Sequence, residues 1–110
     1  MLPHAQRLKS ADFTRFRGSR AFHSPHFSVR VVRAASEAET KAAAVVSTKV
    51  AKSAVARNLL RRRIYAMLAK SLLSLRGRLI TITARAGAPD LSFAELKDEL
   101  AALQKSALSG

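Results

Sequence analysis

The most concentrated chemistry in this sequence is a basic stretch near its middle. Six of the fifteen residues that run from position 49 to position 63 are basic, namely Lys49, Lys52, Arg57, Arg61, Arg62 and Arg63. The planar fork of an arginine can bridge two phosphate oxygens, and the N–H groups at a helix N-terminus add positive potential beside it. A merely solvated helix face normally carries glutamate partners at i±4, and none occurs here. The stretch therefore predicts a phosphate-binding surface.

The basic stretch belongs to a chain that is cationic as a whole. The 110 residues hold 20 Lys and Arg against 7 Asp and Glu, a formal net charge of +13. Residues 40–89 contain eleven cations and no carboxylate. Self-repulsion of this size is relieved by a polyanion, so nucleic acid is the leading class of partner. A cationic protein that acts on an anionic membrane surface is the competing interpretation.

The composition of the chain argues against several other classes of protein. The absence of cysteine excludes disulfides and thiolate metal sites. The longest apolar run, from Ala42 to Val46, is far shorter than the roughly 20 residues of a membrane span. The opening MLPHAQR has no apolar signal region, so we expect a cytoplasmic protein without a membrane partner.

Residues suited to protein catalysis are scattered. A protein nuclease needs paired carboxylates for Mg²⁺ or a general acid–base pair, and the acids lie mostly outside the basic body. His4, His23 and His26 have no carboxylate or cysteine at ligand spacing. We therefore expect no catalytic residue, no protein metal site and no small-molecule substrate.

Three helices are predicted to position the basic residues. Ser10 can cap a short helix that ends near Arg17, and Ser92 with Glu95 forms a capping box before a final helix. The longest helix is predicted from Ser53 to about Leu75. Its apolar residues share one face at 100° per residue, namely Leu60, Ile64, Met67, Leu68, Leu72 and Leu75.

Alternating and β-branched residues predict the strands. Phe27 to Arg33 and Leu79 to Arg85 are strands, and the segment RAFHSPH holds a short edge strand. The polar segment AASEAET is predicted to be a hairpin loop, with Ala43 to Val50 as the returning strand. The order of elements indicates an α+β fold in one small domain over residues 1–110, with a mixed sheet of about four strands and three helices packed on it.

The basic stretch and its surroundings resemble the protein component of bacterial ribonuclease P. In that family a strand that ends in Ser and Lys leads through a small-residue turn into Arg-Asn-Arg and a further basic pair. Arg57-Asn58 and Arg61-Arg62 match this motif here, Arg7-Leu8-Lys9 with Asp12-Phe13 resembles the family's opening, and the strand LITITAR also fits. The resemblance covers about residues 7–104. Leu59 stands at the third position of Arg-Asn-Arg, and Ala51 stands where glycine is usual.

The resemblance implies a fold, a partner and an activity. The sheet would contain a left-handed βαβ crossover. The chain would bind the catalytic RNA of ribonuclease P and the 5′ leader of precursor tRNA, while the RNA binds Mg²⁺ and hydrolyses the phosphodiester. The RNA-binding residues would be Lys49, Lys52, Arg57, Asn58, Arg61 and Arg62. A ribosomal or other general RNA-binding protein of similar fold is the alternative.

A second set of residues is predicted to hold the leader. Phe13, Phe16 and Phe27 could stack on single-stranded bases, with Arg15, Arg17, Arg20 and Arg30 as an electrostatic lining. The chain has only five phenylalanines and one tyrosine, so a role for these rings in the hydrophobic core remains the alternative.

Overall fold

The computed structural model describes residues 15–34, 36, 39–70 and 76–109. Within them the chain forms four strands and two α-helices, and a short 3₁₀ helix precedes the second α-helix. Their bounds are β1 Ala21–His23, β2 Phe27–Arg33, β3 Lys41–Val45, α1 Ala54–Lys70, β4 Arg78–Ala84, the 3₁₀ helix Ala88–Asp90 and α2 Phe93–Ser109. The predicted α+β class and four-stranded sheet are confirmed.

The four strands form one mixed sheet in the order β1-β2-β4-β3. The pairs β1/β2 and β2/β4 are antiparallel, whereas β3 runs parallel to β4. Helix α1 therefore connects two neighbouring parallel strands and forms the expected βαβ crossover. Its left-handedness stays a prediction.

The predicted hairpin between β2 and the following strand is wrong. The strand spans Lys41–Val45 instead of residues 43–50, and it pairs with β4 rather than with β2. The physical reason is the apolar content of β4, where Leu79, Ile80 and Ile82 are all fully buried. A strand that is buried on both faces takes a central position, so β4 separates β2 from the alanine-rich β3.

The helices begin where the sequence predicts. Ser53 Oγ accepts a hydrogen bond from Ala56 N–H at 3.0 Å at the start of α1. Before α2, Glu95 N–H donates to Ser92 Oγ at 3.1 Å, and Ser92 N–H donates to Glu95 Oε1 at 2.9 Å, which confirms the capping box. The helix predicted from Ser10 lies largely outside the described residues, as do residues 71–75 of the predicted α1. None of the helices described is long and apolar enough to cross a membrane.

Both helices pack on the same face of the sheet, which carries Phe27, Val29, Ile80 and Ile82. The buried residues that α1 contributes are those of its predicted stripe, Leu60, Ile64, Met67 and Leu68. Helix α2 adds Leu96, Leu100 and Leu103. Burial of this stripe fixes the rotation of α1 about its axis, and therefore the direction of its arginines.

The opposite face of the sheet is only partly covered. Ser28 of β2, Thr83 of β4 and Val45 of β3 lie side by side in register, and Arg30 follows Ser28 on the same face. Arg30, Thr83 and Val45 are exposed, and Ser28 is half-buried. We call Ser28, Arg30, Val45 and Thr83 the open sheet face.

Strand β3 lies at an edge of the sheet, and the backbone N–H of its residue Ala44 has a hydrogen-bond partner within the protein. Tyr65 of α1 is half-buried, and its hydroxyl accepts a hydrogen bond from Ala44 N–H at 3.1 Å. This contact ties α1 to the edge strand in addition to the apolar packing.

Two residues of α1 provide a direct test of this packing. Ile64→Ala should lower the free energy of unfolding by about 2–5 kcal/mol, because it leaves a cavity at a fully buried position. Val55→Ala is the matched control on the same helix. Val55 is 79 % exposed, so its replacement should change stability by no more than about 0.5 kcal/mol. Urea denaturation measures both, and equal losses would contradict the described rotation of α1.

Candidate nucleic-acid interface

The loop between β3 and α1 presents two lysines on a compact turn. The N–H groups of Val50 and Ala51 both donate to Ser47 O at 3.1 Å, which closes the turn. Ala51 is buried, whereas Lys49 and Lys52 are exposed. No non-glycine residue in the described part of the chain has a positive φ. Alanine is therefore unstrained at position 51, and its methyl group packs into the core.

Arg57 fastens this loop to the first turn of α1. Its Nη1 donates to Ala51 O at 3.0 Å and to Lys52 O at 2.8 Å. The guanidinium thus satisfies two loop carbonyls and holds the backbone that carries Lys52. The sequence indicated a cation at this position but gave no sign of its loop-fastening contacts, because they depend on where the turn places its carbonyl groups.

Asn58 and Arg61 form a second fixed pair, one turn along the helix. Arg61 Nη2 donates to Asn58 Oδ1 at 2.7 Å, and this bond orients the guanidinium. Arg62 is exposed beside them. Arg63 points elsewhere, since it is half-buried and its Nη1 donates to Leu91 O at 3.4 Å, before α2. The structure places the six predicted residues on the loop before α1 and on the first turns of the helix, and we call them the α1 cationic surface: Lys49, Lys52, Arg57, Asn58, Arg61 and Arg62.

Among the residues that the structure describes, no carboxylate forms a salt bridge with the α1 cationic surface. In the described part of the chain, the salt bridges involve Arg15 and Lys41 with Glu39, and His26 with Glu99. The first turn of α1 contains no acidic residue. The positive potential of these side chains adds to that of the free N–H groups at the helix N-terminus. The chemistry that this surface suits is the binding of phosphate groups.

Two apolar residues interrupt the surface. Leu59 is 48 % exposed and lies four residues after Val55 on the outward side of α1. At 100° per residue, Arg62 lies about 20° from Val55 and about 60° from Leu59, on the same side of the helix. A cation at position 59 would therefore extend the α1 cationic surface outward, and leucine leaves a gap in it.

Arg30 of the predicted leader-binding set lies on the open sheet face. Arg30 and Arg17 are exposed, and Arg20 lies 4.8 Å from the centroid of the Phe22 ring. Arg15 instead makes a two-pronged ion pair, in which Nη1 and Nη2 lie 2.9 and 3.1 Å from the carboxylate oxygens of Glu39. Arg15 therefore serves to anchor its segment to the loop before β3.

The aromatic residues of that set do not fit the stacking role. Phe27 is 0 % exposed and Phe16 is 4 % exposed, so neither ring offers a face to a base. Strand alternation places Phe27 beside Val29 in the core, and this explains its burial. Phe13 lies outside the described residues.

Glu99 of α2 fixes the turn between β1 and β2. Its carboxylate accepts hydrogen bonds from Ser24 Oγ, from His26 N–H at 2.8 Å and, at 2.7 Å, from His26 Nδ1. Burial tends to raise the pKa of Glu99, but these hydrogen bonds outweigh it and hold the pKa below its ordinary value. Sequence analysis missed this cluster because its members are more than seventy residues apart.

Gly87 is required beside this cluster. It has a φ of 87°, and an added Cβ would lie 3.1 Å from His26 Cδ2.

Groups of three or more histidine or acidic side chains that could hold a metal ion do not occur among the residues that the structure describes.

The fold of this chain is shared with known proteins. The family model of ribonuclease P matches residues 2–108. The chain belongs to the ribonuclease P protein family. Among curated protein sequences, none matches the chain significantly.

Solved structures of ribonuclease P proteins have the same fold as this chain. A Staphylococcus aureus ribonuclease P protein, a mutant with defective mRNA degradation activity, superposes with a TM-score of 0.85 at 25% identity, covering 94% of this chain and 88% of that one. A second S. aureus ribonuclease P protein structure superposes with a TM-score of 0.79 at 24% identity, covering 94% of this chain and 95% of that one. The Thermotoga maritima ribonuclease P protein in complex with 1-(4-fluorophenyl)-2-thiourea superposes with a TM-score of 0.76 at 19% identity. The match covers 86% of this chain and 92% of that one.

The Glu99 cluster predicts how the stability of this ribonuclease P family member depends on pH. A depressed folded-state pKa stabilises the protein above the ordinary glutamate range, and this contribution is lost as the pH falls through the folded pKa. Glu99→Gln should therefore lower the free energy of unfolding by about 1–3 kcal/mol at neutral pH, and its deficit should shrink in acid.

Asp98→Asn is the matched control, because Asp98 is exposed on the same helix. Chemical denaturation of both variants at a series of pH values measures the effect. A Glu99→Gln deficit that stays constant down to strongly acidic pH would contradict the assigned hydrogen bonds.

Proposed function

We propose that this chain binds the catalytic RNA of ribonuclease P through the α1 cationic surface and promotes removal of the 5′ leader from precursor tRNA. The observation that carries the proposal is the arrangement of that surface. Arg57 bonds the backbone carbonyl of Lys52 and Asn58 bonds the guanidinium of Arg61, and no carboxylate within the described ranges neutralises the side chains of Lys52 and Arg61. In a member of the ribonuclease P family, this arrangement suits a ribose-phosphate backbone.

The contacts of the six residues indicate a separate role for each of them. Lys49, Lys52, Arg61 and Arg62 would bind phosphates, and Asn58 would orient Arg61. Arg57 keeps the loop in register with the helix and presents its remaining N–H groups to the same side. An RNA strand along this face would replace the missing carboxylate partners.

The open sheet face is our proposed path for the leader. Arg30 would supply positive charge there, and the polar Ser28 and Thr83 would offer hydroxyl groups to the backbone. Phe27 lies in the core on the other side of the sheet, so its ring is not part of this path. We expect binding along it to depend on backbone charge more than on base stacking.

Magnesium enters the proposal through the RNA. The described side chains do not form a group suited to hold a metal ion, so we assign the Mg²⁺ ions and the hydrolysis step to the catalytic RNA. The protein would lower the Mg²⁺ requirement by screening phosphate repulsion between the catalytic RNA and the precursor. We place this assembly in the cytoplasm.

Reconstitution at limiting Mg²⁺ tests the proposal. The purified chain should increase cleavage of precursor tRNA by its cognate catalytic RNA, and Arg61→Ala/Arg62→Ala should weaken both assembly and stimulation while leaving circular dichroism unchanged. Arg63→Ala is the matched control, because Arg63 contacts Leu91 O instead of facing outward. That variant should keep its RNA affinity. Failure of the unaltered chain to bind or stimulate the RNA would overturn the proposal.

The leucine at position 59 gives an independent test. Leu59→Arg should add a phosphate contact and steepen the plot of log affinity against log salt by roughly 0.7–0.9. Ala101→Arg adds the same charge on an exposed position of α2 and should leave the slope unchanged. If both variants steepen the slope equally, net charge rather than the α1 cationic surface governs binding.

A further inference from the structure

A second group of cations lies at the opposite end of α1. Arg33, the last residue of β2, is the direct cross-strand partner of Arg78, the first residue of β4. Arg76 precedes this pair by two residues, and Lys70 is the basic residue in the last turn of α1. Arg33, Lys70 and Arg76 are exposed, and Arg78 is half-buried. We call these four residues the far cationic cluster.

The fold brings the four residues to one end of the molecule. Because β3 and β4 are parallel, α1 must run back between them, so its C-terminus lies where β4 begins. Ala34 N–H donates to Gly77 O at 2.8 Å and closes the ladder beside the arginine pair. Strand alternation directs Arg33 and Arg78 to the face of Val31 and Ile80, which is the face that carries α1.

The arginine pair is unfavourable for the protein alone. Directly opposed residues of an antiparallel pair have Cβ atoms about 4.5–5.5 Å apart, and like charges at that spacing repel. Within the described ranges no carboxylate lies within ion-pair distance of Arg33, Arg76 or Arg78. Glu39, in the loop before β3, already bonds Arg15 and lies 3.6 Å from Lys41. A repulsive pair of this kind is stabilised when an anion binds both guanidinium groups.

We propose that the far cationic cluster is a second contact with the catalytic RNA, made to the ribose-phosphate backbone of a segment different from the one at the α1 cationic surface. Lys70 lies eight residues after Arg62, about 12 Å along the axis of α1, and the two ends of the 17-residue helix are about 25 Å apart. Both groups lie on the helix side of the sheet, away from the open sheet face, so the RNA that contacts α1 reaches both. This inference rests on the proposed function, and it makes the chain a clamp across two RNA segments.

Removal of charge from the cluster should have opposite effects on two measured quantities, the melting temperature and the affinity for RNA. Arg33→Gln/Arg78→Gln should raise the melting temperature of the free protein by a few degrees, because it removes the repulsion. The same variant should weaken binding to the catalytic RNA and flatten the salt slope by roughly 0.7–0.9 for each phosphate that it no longer binds. Lys97→Gln/Lys105→Gln on α2 removes equal charge and should leave RNA binding unchanged.

Tethered cleavage locates the contact, since the chain has no cysteine to interfere. A cleavage reagent attached at Ser36→Cys, three residues after Arg33, should cut the catalytic RNA at a segment distinct from the one cut by Val55→Cys. Ala101→Cys on α2 is the control and should give no strong cuts. Cuts from Ser36→Cys that fall only in precursor tRNA, or nowhere, would overturn the proposed partner of this cluster.

The outcomes separate the two proposals. If the unaltered chain binds the catalytic RNA and the Arg33→Gln/Arg78→Gln variant binds it with the same affinity and salt slope, the far cationic cluster is not a contact and the proposed function stands. If the unaltered chain does not bind that RNA, both proposals fall.

Discussion

The structure depends on how α1 buries one side against the sheet. Leu60, Ile64 and Leu68 enter the core, and this burial leaves the helix a single rotation about its axis. Every other α1 residue then has a fixed direction: Arg61 and Arg62 turn toward solvent, Arg63 turns toward the residues before α2, and Tyr65 reaches the edge strand. The apolar residues therefore determine the position of the charged ones, although the two groups serve different purposes.

Local sequence signals predicted the elements well and their partners poorly. The α1 stripe, strand β2 and the Ser92–Glu95 capping box depend on neighbours in the chain, and all three appear as expected. The partner of β3 depends on which strand is apolar enough to occupy the centre, which no local pattern specifies. Glu99 shows the same limit at the level of side chains, because its hydrogen-bond donors come from a turn at the other end of the chain. Phe27 is buried because of the strand face on which it lies, and this burial could not be predicted from the aromatic character of the residue alone.

The candidate RNA surface illustrates which part of a site a sequence can predict. The identity of the cations, and the lack of acids near them, were visible as composition. The supporting contacts of Arg57 and Asn58 were not, since they involve loop carbonyls and a side-chain amide whose positions arise only on folding. These contacts reduce the number of conformations that the loop backbone and the Arg61 side chain must lose on binding, and preorganisation of that kind raises affinity without adding charge.

The hydrogen bond between Tyr65 and Ala44 has a consequence for the protein at high local concentration. Many copies of a cationic protein gather on any polyanion, and an unprotected edge strand could then pair with its neighbour's edge. On the β3 side, the phenol occupies an amide that a foreign strand would need. On the other side β1 is three residues long and offers little to pair with. Both edges of the sheet are therefore less open to pairing with a strand of another copy.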